Sequence, residues 1–432
     1  MKALAAHAAS SGRGRLWFAA GGVAVVAIVV TVVALLLTGG STPTSPSGHS
    51  SSSGSTATHH ARPLSVVTST PAAGAQGVAS DATLSVTFSA PVTLGSVQPT
   101  LSPPVAGTWQ QTNRTTITDA LSAPLIPSTT EVLTVPGGPS GVKGTDGGTL
   151  PASDTIQFTI AVGDTGRLQE MLAVLNYLPL SFTPSGGTRS AAMEAMPQLG
   201  TFAWRWTMPT SLTSLWVQGS PNVITKAAVM QFEKQNNLTV DGLAGPQVWA
   251  GLFAAVAAQK LNPNPYEYVV VNKVVPQSLT LYDDGTPKFT GIPVNTGAPG
   301  ADTVDGTFPV FEHVVSSEMK GTNPDGSKYD DPNVPWASYF NGGDALHGFP
   351  RAHYGYPQSN GCVEMMISDA QMLWPYTPIG TLVTVVGPST GAGPQPPPPT
   401  TTTTTAPPPP PPTTTTTTAP PPPPPTTTTV AG

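Results

Sequence analysis

The chain has 432 residues, a formal net charge of -6 at pH 7 and only 9% charged residues. A chain of this length is expected to hold two or three domains. It contains no basic cluster, no glycine-rich phosphate loop and no Cys/His set at metal-ligand spacing, which argues against a nucleic-acid, nucleotide or metal site. No cofactor is predicted, and the sequence carries no signal for an oligomeric state.

The N-terminal region has the pattern of a single membrane anchor. Residues 16–37 form an uncharged apolar run, which at about 1.5 Å per residue spans the roughly 30 Å hydrocarbon core. Lysine and arginine precede this run within residues 1–15 and do not occur again until Arg62, which predicts a cytoplasmic N-terminus. A cleaved signal peptide is the alternative, but its apolar region normally has only about 7–15 residues. We expect a single-pass cell-membrane protein whose folded part lies in the cell-wall or periplasmic space.

Two segments have low-complexity composition. Residues 38–62 are rich in Ser, Thr and Gly, and they lack the large apolar side chains needed to offset the entropy of ordering. They predict a flexible tether. Residues 389–432 consist mostly of Pro and Thr blocks, which predict a disordered, extended polyproline II tail. The tail is interpreted as a spacer, or alternatively as a segment that threads into a cell-wall polymer.

Residues 63–162 alternate apolar and polar side chains over short runs separated by Gly, Pro, Asn and Asp. This pattern predicts an all-β sandwich. The stretch STPAAGAQGVASDATLSVTFSAPV resembles the opening of bacterial Ig-like surface domains. The resemblance implies a fold rather than an activity, so a spacer role is expected, with carbohydrate or protein binding as the alternative.

Residues 163–258 change to helical periodicity, beginning with GRLQEMLAVLNYL. Together with T..AV..F....NL and DG..GP..W..L, this segment resembles the small three-helix peptidoglycan-binding domain, interrupted by an insertion at about 185–219. The matching positions are Thr225, Ala228, Val229, Phe232, Asp241, Gly242, Gly245, Pro246 and Trp249. The resemblance implies peptidoglycan as a partner.

Residues 265–388 contain several strand-like runs and predict a mainly β domain. They include Cys362, the only cysteine of the chain, which therefore cannot form an intramolecular disulfide. A thiol becomes nucleophilic as its thiolate, so an adjacent base is needed near neutral pH. Among the three histidines of this segment, His347 follows a strand-like run and precedes Gly348, and it is the predicted general base.

A glycine before the nucleophile permits a tight turn whose amide groups converge on one point. We expect the backbone amides of Gly361 and Cys362 to hold an oxyanion in this way. The alternative is that Cys362 is a small core residue and His347 a hydrogen-bonded surface histidine, since free cysteine is commonly buried.

The segment resembles the L,D-transpeptidase catalytic domain, whose signature is approximately H-G...G...S-H-G-C-[IV]-[RN]. The matching residues are His347, Gly348, Gly355, Ser359, Gly361, Cys362 and Val363. Upstream, PVNTG...DTVDGTFPV resembles a strand pair of the same family. The resemblance implies a β-rich fold and a cysteine that attacks an L,D-peptide bond of a peptidoglycan stem tetrapeptide, releasing D-alanine. The resemblance further implies transfer of the acyl group to an amine, which forms a 3-3 crosslink or attaches another amine acceptor.

Two positions depart from the family signature. Asn360 replaces its histidine, and we expect Asn360 to support the oxyanion site; Glu364 replaces its arginine or asparagine. Ser359 is expected either to orient the imidazole or to cap a turn. The candidate substrate contacts are Met319, Tyr329, Trp336, His353 and Glu364. The alternatives to a transpeptidase are a weakened or inactive cell-wall-binding protein and an L,D-carboxypeptidase that uses water as acceptor.

Overall fold

The computed structural model describes residues 62–95, 97–187 and 194–388. The predicted anchor at 16–37 and tail at 389–432, together with the cytoplasmic N-terminus and almost all of the tether, lie outside these residues. Within the described part of the chain, no helix is both long enough and apolar enough to cross a membrane.

The first described segment is a β-sandwich, as predicted. Its strands are β1 (Val66–Thr70), β2 (Leu84–Phe88), β3 (Val92–Thr93), β4 (Thr100–Ser102), β5 (Gly107–Gln111), β6 (Thr116–Leu121), β7 (Thr130–Val135), β8 (Lys143–Gly144) and β9 (Asp154–Thr159). One sheet has the order β1-β2-β6-β5 and a second has β4-β7-β9, while β3 pairs with β8. Alternate residues of β2, namely Leu84, Val86 and Phe88, are buried in the core, as the period of two requires.

The next segment is helical with one inserted hairpin. Its elements are α1 (Thr165–Val174), β10 (Leu180–Pro184), β11 (Gly200–Trp204), α2 (Thr210–Thr213), α3 (Val223–Gln235) and α4 (Pro246–Ala257). Asp164 and Asn222 cap α1 and α3 by accepting backbone N–H bonds at 2.9 Å, which explains why these helices begin there. The predicted insertion contains β11, which pairs with β10, and the short helix α2.

The third segment is mainly β. It comprises β12 (Glu267–Asn272), β13 (Ser278–Asp283), β14 (Thr286–Pro293), β15 (Gly306–Pro309), β16 (Glu312–Thr322), β17 (Lys328–Asn341), β18 (Asp344–Gly348), β19 (Val363–Met365), α5 (Ile367–Leu373) and β20 (Leu382–Val386). One sheet has the order β14-β13-β12-β20-β15, and the other has β16-β17-β18-β19. Side chains from both sheets, including Val269, Val383, Leu346 and Val363, form one buried core.

The helical segment and the mainly β segment share a second core. Phe232 and Trp249 of the helices are buried in the same cluster as Tyr268 and Leu382 of the sheet. Gly380 packs so closely on α3 that a side-chain carbon at this position would lie 2.4 Å from the Gln231 side chain. The two segments therefore pack as one body, which fixes the position of α3 relative to β15 and β17.

Candidate active site

The parallel pairing of β18 with β19 brings the predicted nucleophile and base together. His347 is in register with Glu364, and Leu346 is in register with Val363. Side chains alternate along a strand, and partners in register point to the same face. Leu346 and Val363 point into the core, so His347, Glu364 and Cys362, which immediately precedes β19, share the opposite face.

His347 has the tautomer of a base. Its side chain is 2% exposed, and Nδ1 lies 3.2 Å from the carbonyl oxygen of Gly348. Because a carbonyl only accepts, Nδ1 carries the proton and Nε2 keeps its lone pair. Burial lowers the pKa of His347 below its ordinary value, although the Glu364 charge and the Gly348 carbonyl act in the opposite direction. The imidazole is therefore neutral near pH 7 and can accept a proton.

Cys362 is a half-buried free thiol whose Sγ lies 3.5 Å from the carbonyl oxygen of Gly343. Burial of the sulphur raises the pKa of the thiol well above its ordinary value, and the negative charge of Asp344 raises it further. A backbone hydrogen bond from Ala345 opposes this shift. The thiol and the imidazole on this face are thus both neutral at rest.

The turn before Cys362 is closed by Ser359. Its hydroxyl donates to the carbonyl oxygen of Cys362 at 2.6 Å and accepts from the Gly361 amide at 3.2 Å. Of the two roles expected for Ser359, these contacts are those of the turn cap. The Gly361 amide, one of the two predicted oxyanion donors, is thus already hydrogen-bonded within the turn. The Cys362 amide is the second predicted donor.

Gly361 cannot be replaced at this turn without strain. Its φ is +112°, a backbone conformation that residues with side chains rarely adopt, and a side-chain carbon would lie 2.5 Å from Oδ1 of Asp344. Its carbonyl accepts a 2.7 Å bond from Thr303 Oγ1. The Thr303 carbonyl in turn accepts a 3.0 Å bond from the buried Lys273 ammonium group. A buried hydrogen-bond network therefore supports the turn that precedes Cys362.

Asp344 is a functional candidate for which the sequence gives no signal. Its side chain is buried against Gly361, and Oδ2 accepts a 3.2 Å bond from Asn341 Nδ2. Burial raises the pKa of Asp344 to about 7, hydrogen bonds from Asn341 and the Val304 backbone lower it, and the Asp302 charge raises it. A carboxyl group whose pKa lies near neutral therefore packs against the turn that precedes Cys362.

Glu364 does not present a free carboxylate to a substrate, in contrast to the expectation for this position. It is 5% exposed and forms a two-pronged ion pair with Arg351, in which Nε and Nη2 each lie 2.8 Å from a carboxylate oxygen. The guanidinium lies 4.8 Å from the ring centroid of Phe349, whose edge faces the His347 ring at 6.0 Å. The negative charge introduced by Glu364 is therefore neutralised internally, and the Arg351 side chain remains 31% exposed.

Asn360, in the turn that precedes Cys362, contacts the hairpin formed by β16 and β17. Its Nδ2 donates a 2.6 Å bond to Oδ1 of Asn323, in the turn that joins β16 to β17. This contact differs from the expected support of the oxyanion site. In this hairpin Thr322 of β16 pairs with Lys328 of β17 across a short turn.

The remaining candidates occupy different environments. Met319 and Tyr329 lie on the β16–β17 hairpin. Burial raises the pKa of Tyr329, and the charge of a Cys362 thiolate raises it further. Trp336 is half-buried and contacts Trp374 edge-to-face, with ring centroids 5.6 Å apart, so it contributes to packing. His353 is exposed in the loop between β18 and β19. Among the described residues, no cluster of His, Cys, Asp and Glu is arranged to hold a metal ion.

Comparison with protein families assigns the segment that carries this geometry. Residues 266–385 match the family described as YkuD, L,D-transpeptidase catalytic domain. This segment is an L,D-transpeptidase catalytic domain. Residues 60–160 match the bacterial Ig-like domain family, and residues 217–252 match the putative peptidoglycan-binding domain family. The three resemblances predicted from the sequence are thereby confirmed.

Solved structures of L,D-transpeptidases are similar to this chain. The LdtMt1 enzyme in complex with imipenem is 13% identical over 74% of this chain and 98% of its own, with a TM-score of 0.26. L,D-transpeptidase 3 from Mycobacterium tuberculosis with a faropenem-derived adduct is 15% identical over the same shares, with a TM-score of 0.26. The catalytic domain from the E. faecium L,D-transpeptidase is 25% identical over 29% of this chain and 100% of its own, with a TM-score of 0.26. No curated protein matches the chain.

Asp344→Asn is expected to make Cys362 more reactive above pH 7. Above its pKa of about 7, Asp344 is negative and opposes thiolate formation; below that pH it is neutral and the opposition disappears. Because one pKa unit of the thiol changes the thiolate population about tenfold, iodoacetamide should alkylate the variant up to roughly tenfold faster at pH 8 and at nearly the wild-type rate at pH 6.

Asp325→Asn is the matched control, since Asp325 is an exposed carboxylate in the β16–β17 turn. A rate ratio for Asp344→Asn that stays constant from pH 6 to pH 8 would contradict the electrostatic role of Asp344.

Proposed function

We propose that this protein is a cysteine L,D-transpeptidase that acts on peptidoglycan stem peptides. The observation that carries the proposal is the shared face of Cys362 and His347, with the imidazole Nε2 left as a proton acceptor. The family match supports transpeptidation as the reaction class. The match to a peptidoglycan-binding domain supports peptidoglycan as the polymer that carries the substrate.

Acylation begins when Cys362 Sγ attacks the carbonyl carbon of the third stem residue. His347 Nε2 accepts the thiol proton as the carbon–sulphur bond forms, and the Cys362 amide stabilises the oxyanion. The tetrahedral intermediate collapses when the carbon–nitrogen bond breaks. The imidazolium returns its proton to the leaving amine, so D-alanine departs and a thioester remains on Cys362.

Deacylation repeats these steps with a new nucleophile. The side-chain amine of a diamino acid in a second stem attacks the thioester, His347 accepts a proton from that amine, and Cys362 leaves and regains its proton. The product is a 3-3 crosslink. Water at the same position would give an L,D-carboxypeptidase instead. Because Asn360 and Glu364 are engaged with Asn323 and Arg351, their departures from the family signature leave the cysteine–histidine pair intact.

The proposed place of action is outside the membrane. The apolar run at 16–37 would anchor the chain, and the Ser/Thr/Gly-rich tether would carry the Ig-like segment and the catalytic domain into the cell wall. The Ig-like segment acts as a spacer in this scheme, and the helical domain keeps the thiol close to the polymer.

Imipenem should form a covalent adduct with the protein through Cys362. Opening of the strained lactam by the thiol adds the full mass of imipenem, which intact-protein mass spectrometry measures directly. We expect the adduct with the wild type and none with Cys362→Ala or with the near-isosteric Cys362→Ser. An unmodified wild-type protein whose thiol is still alkylated by iodoacetamide would contradict the enzyme proposal and favour a cell-wall-binding protein.

His347→Ala should slow acylation by imipenem at pH 7 by about 10²- to 10⁴-fold, the usual contribution of a general base. His353→Ala is the matched control, because this histidine lies exposed in the same loop system. Stopped-flow fluorescence with excess imipenem gives both rates. Equal rate losses in the two variants would show that His347 is not the base.

A further inference from the structure

An open groove lies between the peptidoglycan-binding helices and the catalytic domain. It has a volume of about 310 Å³, at the lower end of the roughly 300–1,000 Å³ typical of ligand sites. Lys226 and Asp241 line one wall, and Phe311 and Asn341 line the other. The second wall continues through Gly342 into the turn that leads to Asp344.

The two walls are held at a fixed separation. The helical domain contributes Trp249 and Phe232 to the core that also contains Tyr268 and Leu382 of the catalytic sheet. In addition, Gly380 lies against α3 with no room for a side chain. The shared core and the Gly380 contact therefore fix the positions of the two walls of the groove.

The groove lies within reach of the nucleophile. Cys362 Sγ is 3.5 Å from the carbonyl oxygen of Gly343, and Gly343 is adjacent to the groove residue Gly342. Since consecutive Cα atoms are about 3.8 Å apart, the groove edge lies within about 10 Å of the sulphur. Three extended residues of a stem peptide also span roughly 10 Å. A stem whose third carbonyl is at the sulphur can therefore start from a sugar at the groove.

The lining has the chemistry that an N-acetylated sugar needs. A hexosamine ring has an apolar face of C–H groups and a rim of hydroxyl and acetamido groups. Phe311, which is 41% exposed, supplies an aromatic ring for contact with the C–H groups. The ammonium of Lys226 and the carboxylate of Asp241 can form hydrogen bonds with the hydroxyl and acetamido groups. The side-chain Nδ2 of Asn341 donates a hydrogen bond to Asp344. The side-chain Oδ1 of Asn341 accepts no hydrogen bond from any described residue and is available to a ligand.

We propose that this groove is a subsite for the glycan strand of peptidoglycan, formed jointly by the two domains. The inference rests on the proposed function, because the occupant is identified as the sugar that carries the stem peptide bound at Cys362. The subsite would place the first sugar of the donor, so that the stem extends along the 341–344 turn toward the thiol. Substrate selection would then include the N-acetylated sugar as well as the peptide.

The test uses the chain from residue 38 onward and the stem-free sugar tetra-N-acetylchitotetraose, with titration by calorimetry. We expect saturable binding to the wild type. Phe311→Ala should weaken it by roughly tenfold, the effect of removing one aromatic contact, and Lys226→Gln should weaken it measurably. Both side chains are exposed, so their removal is compatible with folding, which circular dichroism verifies.

Leu243→Ala is the control, because it removes a side chain that is 67% exposed on the same domain but outside the groove. Absence of sugar binding, or binding that Phe311→Ala and Leu243→Ala affect equally, would overturn the inference. Imipenem acylation of the same wild-type sample separates the two proposals: an adduct without sugar binding rejects only the groove, whereas sugar binding without an adduct rejects only the enzyme.

Discussion

The short parallel pair of β18 and β19 determines which side chains meet at the thiol. Its register puts His347, Glu364 and Cys362 on one face, and the alternate residues Leu346 and Val363 secure it to the core. A slip of one residue in either strand would turn Cys362 or His347 to the opposite face, because the side-chain period of a strand is two. The turn at Gly361 leads the chain into β19. Its backbone conformation and its contact with Asp344 leave no room for a side chain at this position.

The charges around this pair favour proton transfer during the reaction over a preformed ion pair. Burial disfavours both the thiolate and the imidazolium, and the carboxylates of Asp344 and Glu364 further disfavour the thiolate. Arg351 neutralises Glu364 through two 2.8 Å contacts, so Asp344 is the nearby carboxylate without a cationic partner in direct contact among the described residues. The site thus keeps the Cys362 thiol protonated at rest.

Local sequence patterns predicted the fold classes and the central pair. Alternation identified the sandwich and helical periodicity identified α1. The isolated Cys362 with His347 upstream predicted a pair that the structure brings to one face of neighbouring strands. The predictions that differ from the structure concern contacts between distant residues. In the sequence Glu364 is an unpaired charge, whereas in the fold it forms an ion pair with Arg351. Asn360 was predicted to support the oxyanion, whereas in the fold its side chain donates a hydrogen bond to Asn323 of the hairpin turn. Asp344 and Lys273 gave no signal because their roles depend on burial beneath a turn distant in sequence.

In the proposed reaction, Cys362 carries the stem peptide as a thioester after D-alanine has left. This step is tested most directly by acid quenching of the protein with a disaccharide-tetrapeptide donor and no acceptor, followed by intact-protein and peptide mass spectrometry. We expect a mass gain on Cys362 equal to the mass of the donor minus that of alanine, and one D-alanine released per acylated protein. D-alanine release with no acyl group on Cys362, or an unmodified protein with no release, would contradict the proposed reaction.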